Sequence, residues 1–304
     1  MNDLVLEAAR RLAAAGCDSA RLDARLLWEF AQLPNPPLEG GSKNPSGRGF
    51  FGEGSKPLQH DPSPKFAAQI STLPQGEGGV SERFDALVRR REKREPIAYI
   101  LGHKEFWSLD FRVGLGVLVP RPDTETLVEE ALRIVPDRTA PLRIADLGTG
   151  SGAILIAVLK EFPHATGVGF ESSPDAFEWA RDNATRLMPD RAQIRQADWN
   201  TAQGPFDLIF CNPPYIPSAD IESLAPDVSQ FEPPQALDGG PDGLAAYRAL
   251  AGLLPRLLTQ GGHALLEIGI GQAQAMGTLF QALEIVRLSP DLAGVPRCVI
   301  LRKP

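Results

Sequence analysis

Short apolar runs alternate with helically spaced apolar residues through the last two thirds of the 304-residue chain. Continuous runs at 142–147, 166–170 and 206–211 predict buried strands. The stretches 153–161 and 174–187 carry apolar residues at helical spacing and predict helices. This alternation predicts an α/β fold, with an open, mostly parallel sheet and helices on both faces. Further strands are predicted at 193–197, 263–268, 285–288 and 297–302, and further helices at 121–135, 244–258 and 272–283.

The first third of the chain has a helical pattern that is interrupted. Helices are predicted over 4–13, 19–33 and 81–94, and together they predict a small helical domain at 1–96. Within it, the segment 34–79 holds nine glycines and eight prolines among 46 residues. Such a proportion is typical of flexible chain, so we interpret this segment as a flexible insert, with a recognition loop as the alternative. Alternating apolar residues and central glycines over 97–120 predict a β-hairpin that links to a second domain at 121–304.

Composition narrows the class of protein. With 43% hydrophobic and 23% charged residues, the chain has the balance of a soluble globular protein. The net charge of -7 and the pI near 5.3 argue against a dedicated nucleic-acid binder, because phosphate binding needs clustered positive charge. No apolar run is long enough for a transmembrane helix, and the N-terminus lacks a signal-peptide pattern. Three cysteines without paired spacing predict reduced thiols and a cytoplasmic protein, and four scattered histidines predict no metal site.

A glycine-rich loop follows the first strand of the predicted sheet. The run Gly148-Thr149-Gly150-Ser151-Gly152 lies between the strand 142–147 and the helix 153–161. Glycines there permit a tight turn and close approach of a ligand to the backbone. Glu171 ends the next strand, where its carboxylate could accept hydrogen bonds from two ribose hydroxyls. The loop predicts an adenosine-type cofactor and does not choose between NAD and S-adenosylmethionine; a purely structural turn is the third interpretation.

The sequence Asn212-Pro213-Pro214-Tyr215 follows the strand 206–211 and favours methyl transfer to a planar amino group. Two prolines in series remove two backbone donors and hold the chain extended, so that carbonyls are free to accept. The Asn212 side-chain oxygen and the Pro213 carbonyl could then accept the two N–H hydrogens of a substrate amide. Accepting both would raise the electron density on the nitrogen, and Tyr215 could stack on the planar group. The alternative is a Pro-Pro loop that merely follows a buried strand.

Two further chain segments are candidates for the same site. Asp198 and Trp199 close the third strand, where the acid and the ring could meet an adenine; an ordinary loop acid beside a packing tryptophan is the alternative. Glu267, in the run 267–272, is less informative and is interpreted as a strand end.

Together these residues resemble the PrmC/HemK family, the glutamine methyltransferases of peptide-chain release factors. The resemblance covers nearly the whole chain except 34–79, and its ordered motifs are more specific than Asn-Pro-Pro-Tyr alone, which DNA adenine methyltransferases share. Glu171 stands where the family pattern has aspartate, and the insert lies in the domain expected to recognise the partner. The motifs that carry the resemblance lie at 94–102, 106–107, 119–125, 146–152, 212–216, 231–233, 238–243 and 266–269.

The resemblance implies a class I, Rossmann-like, seven-stranded methyltransferase domain and an N-terminal helical domain that docks the release factor. It implies S-adenosyl-L-methionine as cofactor and methylation of the glutamine in the release factor's Gly-Gly-Gln motif, which tunes translation termination. Asn212, Pro213 and Tyr215 would be catalytic, and these three with Pro214 would bind the substrate. The implied cofactor-binding residues are Asp146, Gly148, Thr149, Gly150, Ser151, Gly152, Glu171, Asp198, Trp199 and Asn212.

Other functions stay open at this point. A ribosomal-protein glutamine or a DNA or RNA adenine would be an alternative substrate, and a non-catalytic binding module or an NAD oxidoreductase would be an alternative class. The interpretation we favour predicts class I release factors as partners, no stable nucleic-acid binding, no membrane association and a monomer.

Overall fold

The computed structural model describes residues 3–33 and 79–304, which form two compact units, Met1–Gly102 and His103–Pro304. The predicted flexible insert at 34–79 lies, apart from Gly79, outside the described residues. No helix of 3–33 or 79–304 is long and apolar enough to cross a membrane.

The described part of the first unit is helical, as predicted. Its elements are α1 (Asp3–Ala14), α2 (Ala20–Ala31), α3 (Val80–Glu92) and α4 (Ile97–Leu101). The first three pack through buried apolar side chains such as Leu12, Leu27 and Leu87. A buried ion pair crosses this core, with Arg91 Nε donating to Asp23 Oδ2 at 2.8 Å.

The hairpin is shorter than the predicted 97–120. Residues 97–101 form α4 instead of a strand, because the chain enters a helix directly after Pro96 and leaves it at Gly102, whose φ is +80°. The hairpin itself consists of β1 (His103–Phe106) and β2 (Leu109–Arg112). Trp107 and Ser108 form its turn with φ of 53° and 55°, which are the values of a two-residue primed turn. Residues 113–121 follow without regular structure.

A seven-stranded sheet forms the centre of the second unit, and its strands alternate with helices as predicted. Its order is β5-β4-β3-β6-β7-β9-β8; the first five strands are parallel, and β9 runs antiparallel to both neighbours. The strands are β3 (Arg143–Leu147), β4 (Thr166–Glu171), β5 (Ala192–Gln196), β6 (Phe206–Cys211), β7 (Leu258–Glu267), β8 (Glu284–Pro290) and β9 (Pro296–Arg302).

Helices cover both faces of this sheet. Consecutive residues of the central strands, such as Ile144 and Ala145 of β3, point to opposite faces and are therefore both buried. The last helix ends at Leu279 and not near 283 as predicted, since the chain turns there, with Leu283 N donating to Phe280 O, and then enters β8. The helices are α5 (Glu125–Ile134), α6 (Ala153–Glu161), α7 (Pro174–Leu187), α8 (Pro226–Ser229), α9 (Ala245–Leu257) and α10 (Ala273–Leu279).

Candidate functional site

The glycine-rich loop lies between β3 and α6, where the sequence predicted it. Gly148, Gly150 and Gly152 have φ of +74°, +57° and +82°, values that favour glycine. The backbone N–H groups of Gly148 and Thr149 donate to Phe170 O on the neighbouring strand at 2.9 and 3.0 Å. The loop is therefore held at the carboxyl end of the sheet, where ligands of parallel α/β proteins bind.

Asp146 lies beneath this loop and supports it. Its Oδ2 accepts a hydrogen bond from Thr149 Oγ1 at 2.6 Å, and its side chain has no exposed surface. Burial raises the pKa of Asp146 to about 7, because a charged carboxylate is disfavoured away from water. The contact assigns Asp146 to holding the loop from below.

Glu171 connects the loop to the start of α7. Its two carboxylate oxygens accept hydrogen bonds from Gly150 N and Ser173 N, both at 2.9 Å. The side chain is nearly buried, and that burial raises the pKa of Glu171. The acid stands at the end of β4 beside the glycine loop, and its contact with a ribose stays a prediction.

Asp198 and Trp199 follow β5 and face the same cavity. Asp198 Oδ1 accepts from Asn200 N at 2.8 Å and so shapes the short turn that carries the tryptophan. The indole packs directly on Gly148, since a β-carbon there would stand 3.2 Å from Trp199 Cζ3. Any larger residue at 148 would displace the ring.

The Asn212–Tyr215 segment follows β6 and is joined to a buried acid. Asn212 Nδ2 donates to Thr124 Oγ1 at 3.4 Å, and Thr124 Oγ1 donates to Glu267 Oε2 at 2.6 Å. Tyr215 OH donates to the other oxygen, Glu267 Oε1, at 3.2 Å. Burial raises the pKa of Glu267, and the neighbouring Arg297 and the two hydroxyl donors act in the opposite direction.

Two other parts of the chain, the segment 239–243 and Gln272, pack against Tyr215 and Ile216. Ile216 O accepts from Gly239 N at 2.8 Å, and Tyr215 O accepts from Gln272 Nε2 at 2.9 Å. β-Carbons at Gly239 and Gly243 would stand 2.8 Å from Tyr215 Cα and 2.4 Å from Tyr215 O. Glycine is therefore required at both positions for the two segments to approach this closely.

Most of the predicted site residues line one cavity of about 490 Å³. Asp146 lies below it, and Gly152, Pro213 and Tyr215 are adjacent to its lining residues in the chain. The predicted residues that line it are Gly148, Thr149, Gly150, Ser151, Glu171, Asp198, Trp199, Asn212 and Pro214.

The cavity also has lining residues that sequence reasoning did not assign. Thr124 reaches it from the first turn before α5, and Arg121 stands at its rim, where Nη2 donates to Glu232 Oε2 at 2.6 Å. Glu232 is buried, which raises its pKa to about 7. The motifs 119–125, 231–233 and 266–269 of the resemblance could have indicated that residues in these segments belong to the site. Which of these residues contact each other could be seen only in the folded structure.

The cavity fits a cofactor that approaches the glycine loop. A β-carbon at Gly150 would meet no atom of residues 3–33 or 79–304 within 4 Å, so open space borders this part of the loop in the described structure. Glu171 and Asp198 add carboxylates and Trp199 adds an aromatic face to the same cavity. These groups match the hydroxyls, amine and ring of an adenosine.

Comparison with known proteins gives the class first. Residues 139–277 match a family described as a methyltransferase domain, and residues 77–102 match the PrmC N-terminal domain. With the mostly parallel seven-stranded sheet, the match defines an S-adenosylmethionine-dependent methyltransferase of class I.

Similar proteins then give the family. A release factor glutamine methyltransferase of Rhodospirillum rubrum is 47% identical over 73% of this chain and 69% of its own length. One of Caulobacter vibrioides is 40% identical over 95% of this chain and 92% of its own length. A solved release-factor-specific protein-(glutamine-N5) methyltransferase of Alicyclobacillus acidocaldarius is 31% identical with a TM-score of 0.39, covering 64% of this chain and 99% of that one. The chain belongs to the release factor glutamine methyltransferase family.

Proposed function

We propose that this protein transfers a methyl group from S-adenosylmethionine to the side-chain amide nitrogen of the glutamine in the Gly-Gly-Gln motif of class I peptide-chain release factors. The observation that carries the proposal is the position of Asn212 in the cavity beside the glycine loop, with its Nδ2 directed to Thr124. Its Oδ1 is then the atom left to accept a hydrogen bond from a substrate amide.

The site residues act mainly by binding and orienting the glutamine amide. Asn212 Oδ1 accepts one amide N–H, and the Pro213 carbonyl accepts the other, since no proline nitrogen competes as a donor. An amide that donates both hydrogens keeps its nitrogen between two acceptors, which stabilise the positive charge that develops there. Phe106, Leu118 and Pro233 give the same cavity apolar walls.

When bound, S-adenosylmethionine supplies an electrophilic methyl carbon on a sulfonium. Asn212 Oδ1 and the Pro213 carbonyl would hold the amide nitrogen in line with that carbon. Transfer of the methyl group would leave a neutral sulfur and release one proton from the nitrogen. Such a displacement depends on in-line positioning, which is worth several kcal/mol when the reacting atoms are held at about 3 Å. Glu171, Asp198 and Trp199 hold the adenosine part of the cofactor in this proposal.

The helical domain at 1–96 docks the release factor. Support comes from the match of 77–102 to the PrmC N-terminal domain. We also propose that the enzyme works as a monomer in the cytoplasm. We propose further that it has no stable nucleic-acid binding, and the net charge of -7 supports this last point.

A panel of substrates tests the proposal. The protein is incubated with methyl-labelled S-adenosylmethionine and, separately, with a class I release factor, ribosomal proteins or duplex DNA. We expect label in the release factor and none in a release factor whose Gly-Gly-Gln glutamine is replaced by alanine. Label in ribosomal protein or DNA with none in the release factor would contradict the proposal.

A further inference from the structure

A buried acid behind the cavity is linked to Asn212 through one hydroxyl. Glu267 lies at the end of β7 with 1% of its surface exposed, and Thr124 is 4% exposed. Thr124 Oγ1 lies 2.6 Å from Glu267 Oε2 and 3.4 Å from Asn212 Nδ2. The hydroxyl is not used as a helix cap, although Thr124 directly precedes α5. Among the described residues, the Thr124 hydroxyl contacts the acid and the amide.

We propose that Glu267 and Thr124 are positioning residues that fix the Asn212 side-chain amide with its oxygen toward the substrate. The inference deepens the proposed function and rests on it. Both oxygens of Glu267 accept a hydrogen bond from a hydroxyl, one from Thr124 and one from Tyr215, so the single Thr124 hydroxyl proton is directed to Glu267. The Thr124 oxygen can then only accept, and of the two ends of the Asn212 amide only Nδ2 can donate to it.

The reverse orientation of Asn212 would be unfavourable on both sides. Its Oδ1 would face the Thr124 oxygen, which has no proton left to donate, and its Nδ2 would face the N–H donors of the substrate amide. Tyr215 OH donates to the second oxygen of Glu267, which keeps the carboxylate in place from the other side. Glu267 thus determines which group donates in the hydrogen bonds from Tyr215 to Glu267, from Thr124 to Glu267 and from Asn212 to Thr124.

Removing the Thr124 hydroxyl would reverse the preferred orientation of the Asn212 side-chain amide. In Thr124→Val, Asn212 Nδ2 would lose its partner and face an apolar side chain, and an N–H without a partner is more costly there than a carbonyl oxygen. The amide would turn its nitrogen toward the water of the cavity and present the wrong group to the substrate. We expect kcat to fall about tenfold, which corresponds to about 1.4 kcal/mol.

The kinetic test compares three substitutions of a threonine. Thr124→Val removes the hydroxyl, Thr124→Ser keeps it, and Thr126→Val is the matched control, because Thr126 is also a buried threonine two residues further along. We expect only Thr124→Val to lower kcat, with the KM for release factor and the Kd for S-adenosylmethionine within about twofold of the wild type. Wild-type kcat in Thr124→Val, or an equal fall in Thr124→Ser, would overturn the proposal.

A second measurement does not depend on the substrate. Side-chain amide protons of Asn212, observed by nitrogen-15 NMR and assigned with Asn212→Asp, report whether Nδ2 donates to Thr124. We expect them to exchange about tenfold faster with solvent in Thr124→Val and at the wild-type rate in Thr124→Ser. Thr124-dependent protection without methylation of the release factor would contradict the proposed function alone. Equal exchange in all variants would overturn the positioning role.

Discussion

Replacing Gly243 by alanine tests how closely the Asn212–Tyr215 segment is held. Gly243 has a φ of +72°, and a β-carbon there would stand 2.4 Å from Tyr215 O. Ordinary contact begins at 3.4 Å, so the two backbones would have to separate by about 1 Å. The atom that must move is a carbonyl in the segment that carries Asn212, and not the end of a flexible side chain.

Gly261→Ala is the matched control for this substitution. Gly261 has nearly the same φ, +74°, but a β-carbon there would meet none of the described atoms within 4 Å. Both variants should lose about 1–2 kcal/mol of stability from the left-handed backbone. Gly243→Ala should lose about 1–3 kcal/mol more, which is the usual cost of overpacking.

The functional difference between the two variants should be larger than the difference in stability. A misplacement of about 1 Å near the reacting atoms can lower a rate about a hundredfold. We therefore expect methyl transfer to release factor to fall about a hundredfold in Gly243→Ala and to stay near wild type in Gly261→Ala. Calorimetric titration with S-adenosylmethionine should give equal affinities, which also verifies folding. Equal rates in the two variants would refute the reasoning.

Three further predictions concern stability, each measured by urea denaturation. Between about pH 4 and pH 7 the unfolded chain has released the Asp146 proton while the folded protein, with its Asp146 pKa of about 7, retains it. The free energy of unfolding that this group contributes therefore falls as pH rises through that window, by up to a few kcal/mol. Asp146→Asn should make the free energy of unfolding depend less on pH. Parallel pH curves for the two proteins would contradict this. Asp23→Ala removes the carboxylate beside the buried Arg91 guanidinium and should cost about 3–5 kcal/mol, whereas a loss below about 1 kcal/mol would show that the pair is dispensable. Gly252→Ala lies inside α9, where the new β-carbon would have no neighbour within 4 Å in the described part of the chain, so it should instead stabilise by about 0.5–1 kcal/mol. A destabilised variant would be evidence against the packing described.

The alternation of strands and helices could be predicted from the sequence because buried parallel strands are short continuous apolar runs. The runs at β3 and β6 are of this kind, and both begin within a residue of the predicted position. The failures are local. Residues 97–101 are apolar throughout, so their pattern does not distinguish a strand from a short helix. Gly102, which ends α4, falls inside the range predicted as a hairpin.

Within the candidate site, motifs predicted which residues are brought together but not how they contact each other. Glu171 and the glycine loop could be placed side by side, since both follow adjacent parallel strands. The link from Asn212 through Thr124 to Glu267 spans 143 positions of sequence between Thr124 and Glu267. A strand-end acid has no periodicity or spacing that reveals its partner, so that contact could come only from the fold.

Tandem mass spectrometry of a release factor incubated with this protein and S-adenosylmethionine tests the central claim most directly. We predict one added methyl group on the side-chain nitrogen of the Gly-Gly-Gln glutamine. With Asn212→Ala, the same peptide should be methylated about 10²–10³-fold more slowly while the protein still binds the cofactor, because a group that stabilises the developing charge is lost. A methyl group on another residue, or undiminished methylation by Asn212→Ala, would contradict the account.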